Sequence, residues 1–125
     1  MVEISEEFCK ILGYSSIQHF DESHVGNNVI WDDLVHPQII PFTNRYAMEA
    51  LVKGLRSFQR PCIFRKSNGR YLSVNLLVQF DNDYTVFKTS ILQQYSEVSH
   101  DLSGEYIVRE FRGKQACLEL DDTFI

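Results

Sequence analysis

Tyr71-Leu72-Ser73-Val74-Asn75-Leu76-Leu77-Val78-Gln79-Phe80 alternates two kinds of side chain. Leu72, Val74, Leu76, Val78 and Phe80 fall on one side of an extended chain, and Tyr71, Ser73, Asn75, Leu77 and Gln79 on the other. A period of two is the signature of a strand with one face in a core. Ser67-Asn68-Gly69 lies just upstream and supplies a glycine where a hairpin needs positive φ, so Pro61–Lys66 reads as the preceding strand. Downstream, Asp81-Asn82-Asp83 reads as a turn and Tyr84–Leu92 as a third strand. The result is an antiparallel meander.

Upstream of Leu55 the period is helical. Ser5, followed by Glu6 and Glu7, suits an N-cap with acidic residues opposing the macrodipole. Phe8, Ile11 and Leu12 then share a helical face, and Gly13 is placed to end the helix left-handed. Ser15-Ser16 restarts a short helix carrying Ile17 and Phe20, and Asp21–Asn28 reads as a polar loop. His36-Pro37 closes the element opened by Trp31 and Leu34, because proline disfavours helix at the residue before it. From Ile39 to Leu55, Phe42, Tyr46 and Ala50, with Ala47, Leu51 and Leu55, recur three or four apart, as in an amphipathic helix.

The order of these pieces resembles a PAS domain: Phe8-Cys9-Lys10-Ile11-Leu12-Gly13-Tyr14-Ser15, then Trp31-Asp32-Asp33-Leu34-Val35-His36-Pro37, then Phe64-Arg65-Lys66-Ser67-Asn68-Gly69-Arg70. The resemblance runs from Glu7 to Leu92. It implies an α+β fold, a PAS-like antiparallel sheet with helices packed on one face, and a module that senses or binds rather than catalyses. One departure is the start: a PAS domain opens with a two-strand hairpin, and only Val2–Ile4 precedes the first helix. The expected organisation is a core over 1–94 and a C-terminal β-like extension over 95–125 that packs on or completes the sheet. Glu105–Phe111 and Gln115–Leu120 are its expected strands, the first supplying the missing edge in its own chain or in a second copy.

Composition narrows the function classes. Seventeen acidic against twelve basic residues leave a net charge of −5, with no basic stripe, so direct nucleic-acid contact is not expected. No apolar run reaches the length of about 18 residues that a membrane span needs, and no signal-peptide pattern opens the chain, so an intracellular protein, cytoplasmic or nuclear, is expected. Cys9, Cys62 and Cys117 form neither a disulfide framework nor a zinc pattern and read as buried thiols. Arg60 and Arg65 near Cys62 raise the alternative of a thiol with lowered pKa.

His19, His24, Asp32, Asp33 and His36 are close in sequence, yet none has the spacing of a metal hydrolase. No nucleophile elbow or phosphate-cradling loop is present. No catalytic or metal site is expected. Cofactors known from PAS relatives find no ligands here. Gly26–Trp31 lacks the cysteine of flavin-binding members, the long helix lacks a haem-ligating histidine, and Cys9 is on the wrong helix for a covalent chromophore.

Two surfaces remain. A core or small-ligand pocket is expected from Trp31, Leu34, Phe42, Tyr46, Leu51, Val74, Leu76, Phe87 and Ile91. An interface with another protein domain or a second copy is expected from Tyr71, Asn75, Leu77, Ile107 and Phe111, unless the tail covers that face. The functional expectation is a PAS regulatory module, for dimerisation, protein interaction or ligand sensing, excised from a larger transcription regulator. The alternative is a small enzyme of the cone-shaped α+β type, with Asn75 or Lys88 as the buried polar residue at the sheet centre.

Overall fold

A computed structural model describes residues 2–23 and 33–111; of Val2 and Glu3 only the backbone is described. The chain runs β1 (Val2–Ile4), α1 (Glu6–Ile11), α2 (Ile17–Ser23), a 3-10 turn (Pro37–Ile39), α3 (Ile40–Lys53), β2 (Ser57–Arg65), β3 (Tyr71–Phe80), β4 (Phe87–Val98) and α4 (Gly104–Glu110). The fold is α+β. Its four-stranded sheet has the order β1-β4-β3-β2; β2, β3 and β4 form the antiparallel meander.

Local chemistry sets most boundaries. The Ser5 side chain accepts from the Phe8 amide at 3.1 Å and starts α1. Gly54, at φ 71°, ends α3 in the left-handed conformation, its amide bonded to the Leu51 carbonyl at 3.2 Å. Gly69, at φ 85°, sits in the β2–β3 turn, where the Lys66 amide meets the Arg70 carbonyl at 2.7 Å. The helical unit is tied to that turn. The Ser67 amide donates to the Leu12 carbonyl at 2.8 Å, and the Ser67 hydroxyl donates to the Gly13 carbonyl at 2.8 Å.

The alternation in β3 sorts the core as expected over Leu72–Val78, but Tyr71 and Ser73 on the opposite face are buried too and Phe80 is only partly buried. Leu72, Val74, Leu76 and Val78 are all buried. Their partners across the β2 ladder are Phe64, Cys62, Arg60 and Phe58, which therefore share that face. Helices pack over it: the Phe8 ring of α1 meets Phe64 edge-on at 5.3 Å.

The β2 strand starts at Ser57 rather than Pro61, and α2 runs to Ser23 into the expected loop Asp21–Asn28. Three further sequence expectations need correction. Glu105–Phe111 is not a strand; Gly104–Glu110 is helical, with the Ser103 hydroxyl accepting from the Tyr106 amide at 3.1 Å. Its β-forming residues are outweighed by an N-cap serine, an acidic first turn, and Leu102 and Ile107 at hydrophobic-staple positions. The edge beside β4 is taken by β1, which pairs in parallel through Val2↔Phe87, Glu3↔Lys88 and Ile4↔Thr89. The last strand spans Phe87–Val98 rather than Tyr84–Leu92. The Asp81 carboxylate takes the Thr85 and Val86 amides at 2.9 and 3.2 Å and so holds these residues in the turn. At its far end β4 accommodates two register shifts, between Leu72 and Val74 and between Asn75 and Leu76, which obscure its alternation. The expected strand Gln115–Leu120 lies outside the described residues.

Candidate functional site: a cavity between the long helix and the sheet

A cavity of about 360 Å³ lies between α3 and the buried face of the sheet. The helix contributes Tyr46, Ala47 and Leu51, and the strands contribute Phe58, Cys62, Leu76, Val78 and Phe87. Arg60 is also in the wall and is only 4% exposed. Tyr84 from the β3–β4 turn lines it too. The volume is at the lower end of the ~300–1,000 Å³ typical of small-molecule sites.

Arg60 is the feature that sequence reading missed. Its cross-strand partner is Leu76, so the pleat carries it to the apolar side. There its guanidinium stacks over the Tyr46 ring at 5.5 Å. Tyr46 has a second engagement: its hydroxyl donates to the Phe111 carbonyl at 2.9 Å. Burial raises the Tyr46 phenol above its ordinary pKa, opposed by the positive charges of Arg60 and Arg45. The alternation of Phe58, Arg60, Cys62 and Phe64, set in register with β3, is the signal that finds Arg60.

Near Tyr84 the turn is firmly built. Tyr84 adopts φ 58°, unusual for a bulky residue, and the Arg56 guanidinium covers its ring at 4.7 Å. Arg56 also donates to the Asp81 and Asn82 carbonyls at 3.1 and 3.0 Å. Hydrogen bonds from Val86 and Thr85 hold the Asp81 carboxyl below its usual pKa.

The expected pocket residues divide. Tyr46, Leu51, Leu76 and Phe87 line the cavity. Leu34 and Val74 are buried in the core, and Phe42 and Ile91 pack against it partly buried. Leu51 is 41% exposed, a correction to a core assignment: it both lines the cavity and meets solvent. Trp31 lies outside the described residues, as do His24 and Asp32.

No family model, curated protein or solved structure matches the chain. The site therefore has to be read from its own residues.

The expected interface residues divide as well. Asn75 and Leu77 are half-buried. Tyr71 and Phe111 are buried within the chain, which removes them from an external contact surface; Ile107 packs partly buried against the core. Tyr71 packs in a three-ring cluster with His36 at 4.3 Å and His100 at 5.5 Å, the two histidine rings themselves 5.9 Å apart. The segment after β4 thus covers this part of the sheet. Gln38 pins it further, accepting from the Leu102 amide at 2.7 Å and donating to the Leu102 carbonyl at 3.3 Å.

His36 is a structural hub. Its Nδ1 accepts from the Gln38 amide at 3.1 Å, and its Nε2 lies 3.2 Å from the Ser99 carbonyl. An amide only donates and a carbonyl only accepts, so the ring is the neutral Nε2–H tautomer. Burial lowers its pKa below the ordinary value, against the opposing pull of the Ser99 and His100 backbone. Among the other polar candidates, His19 accepts from the Ser15 amide at 3.0 Å and Asp33 pairs with Arg65 at 3.1 Å.

Cys62 is fully buried and its thiol is pushed up to about 12 by desolvation, which overturns the idea of an activated thiolate beside Arg60. Burial also raises the Cys9 thiol. Asn75 is half-buried and Lys88 exposed, so neither provides a buried polar group at the sheet centre. Among the described residues, no group of three or more His, Cys, Asp or Glu is placed to hold a metal ion, and no helix is long and apolar enough to cross a membrane.

Proposed function

We propose that this chain is a regulatory module of PAS type whose working part is a small-ligand cavity. The reading is carried by one observation: a cavity of about 360 Å³ bounded by one amphipathic helix and the apolar face of the meander. An antiparallel sheet and a single long helix could close their shared core completely with side chains, at the usual interior packing density of about 0.75. A space of this size between the two suits a molecule that enters and leaves. A change in its occupancy would bear on α3, and through Tyr46 on Phe111, the C-cap of α4.

A place within a larger transcription regulator, with protein–protein contact as the output, fits the same reading. Half-buried Asn75 and Leu77, together with Leu92 and Tyr95 at 48% and 53% exposure, supply mixed surface for such contact.

The test is a thermal-shift screen of small apolar and amphipathic compounds on the wild type and on Ala47→Phe, which fills the cavity from α3. Compounds that raise the wild-type melting temperature are expected to leave the variant unmoved. The proposal fails if none stabilises the wild type, or if both proteins respond alike.

A further inference from the structure

We infer that the cavity takes a flat, fused-ring aromatic molecule, held among the aromatic side chains that the sheet contributes to its wall. This rests on the ligand-cavity reading above and adds the chemical class. Five lining residues carry six-membered aromatic rings: Tyr46 of α3, Phe58, Phe80 and Phe87 of the sheet, and Tyr84 of the β3–β4 turn. Four of these rings converge from separate parts of the chain. The ladder makes Phe80 and Phe87 direct cross-strand partners. The turn between them, closed by the Asp81 amide on the Val86 carbonyl at 3.0 Å, brings Tyr84 beside Phe80. Phe80 is the hub: its centroid lies 5.5 Å from Tyr84, 6.1 Å from Phe58 and 6.2 Å from Phe87.

Ring chemistry makes this wall selective. The three pairs are tilted, at interplanar angles of 48°, 36° and 57°, rather than stacked flat. A planar ligand can join such a cluster offset or edge-on at the favoured centroid spacing of roughly 4.5–7 Å, and gains the quadrupole attraction beyond its area burial. A saturated ring system gains the burial alone, and its puckered skeleton is thicker. The cluster is also built in advance: the Arg56 guanidinium holds the Tyr84 ring at 4.7 Å and is itself anchored to the Asp81 and Asn82 carbonyls, so little ordering is left to the ligand. From α3 the wall receives Thr43 and Ala47, short side chains that occupy little of the space. Size sets the ring count. An apolar cavity of roughly 150 Å³ accepts benzene, and one of about 360 Å³ has room for two fused rings.

Naphthylmethanol and its fully hydrogenated counterpart carry the same hydroxyl on the same carbon skeleton. Both are titrated calorimetrically into the wild type, Phe80→Leu and Ala47→Phe. Leu keeps an apolar side chain at the hub and removes the ring. In the wild type the aromatic compound is expected to bind at least about threefold tighter than the saturated one, the scale of an aromatic pair. In Phe80→Leu that ratio should fall toward one, and in Ala47→Phe both compounds should be lost. Equal binding to the wild type, or tighter binding of the saturated compound, overturns the aromatic preference and leaves the cavity reading intact. A ratio that survives in Phe80→Leu, or binding that survives in Ala47→Phe, places the determinant elsewhere and overturns the inference. If neither compound binds the wild type the inference fails, and the thermal-shift screen above decides the cavity reading separately. Should Phe80→Leu not fold, Phe87→Leu removes a neighbouring ring, and the same fall in ratio is required of it.

Discussion

Gly13→Ala should destabilise this protein out of proportion to the single methyl group it adds. Gly13 holds φ at 89°, where an L-residue is strained by about 1–2 kcal/mol. A Cβ there would stand 2.6 Å from the Ser67 hydroxyl oxygen, well inside any tolerated contact. The hydroxyl must then move and give up its 2.8 Å bond to the Gly13 carbonyl, a further loss of about 0.5–1.5 kcal/mol. The expected total is about 2–3 kcal/mol, or a fall in melting temperature of roughly 5–15 °C. Urea unfolding followed by circular dichroism measures it, and a cycle with Ser67→Ala separates the two parts. Ser67→Ala alone should cost about 1 kcal/mol. In the Gly13→Ala background it should cost nearly nothing, because the bond is already broken and the remaining Ser67 Cβ lies 3.7 Å away. If Gly13→Ala stays within about 0.5 kcal/mol of wild type, the noise level for surface changes, the helical unit is not locked to the hairpin here.

Three further outcomes are expected. Stability should fall as pH is lowered from about 7.5 to 5.5, because His36 is neutral in the fold with a depressed pKa, whereas the unfolded chain takes up its proton near the ordinary value of about 6.5; a His36→Gln variant should flatten that slope in melts across the range, and an unchanged slope would count against the tautomer assigned. Phe111→Ala should cost about 3–5 kcal/mol in urea unfolding, as expected for an aromatic side chain with no exposure, and a loss under 1 kcal/mol would mean that α4 is only loosely attached. In a Cys117→Ser background, Cys62 and Cys9 should react with a disulfide reagent only at the rate of unfolding, given their burial and raised pKa; fast labelling of the native protein would refute this.

Much of the fold is legible in the residues. The alternation of β3, the glycine turn at Gly69 and the cap at Ser5 each express one local rule, and each is found where that rule puts it. What is not legible depends on competition between rules. Glu105–Phe111 carries both β-forming residues and a helix start, and the Ser103 cap prevails. The end of β4 shifts register, and its exposed glutamines hide which face is inward. The cavity is half-legible: Tyr46, Leu51, Leu76 and Phe87 follow from periodicity, but Arg60 does not. A cation in an alternating strand is ordinarily placed on the solvent side, and only the cross-strand register with Leu76 reverses that assignment.

The two borders of the sheet differ in how they meet other polypeptides. Along β2, Pro61 has no amide hydrogen to offer, Val35 bridges to Phe64, and the His36 amide takes the Ile63 carbonyl at 2.9 Å. That border is poorly suited to templating a further strand, which in a β-rich protein guards against self-association into fibres. On the opposite border, β1 engages only Phe87, Lys88 and Thr89 of a strand that continues to Val98. Among the described residues no strand pairs with β4 beyond Thr89, so Lys or Pro substitutions there, rather than along β2, are the ones expected to extend the shelf life of a concentrated sample.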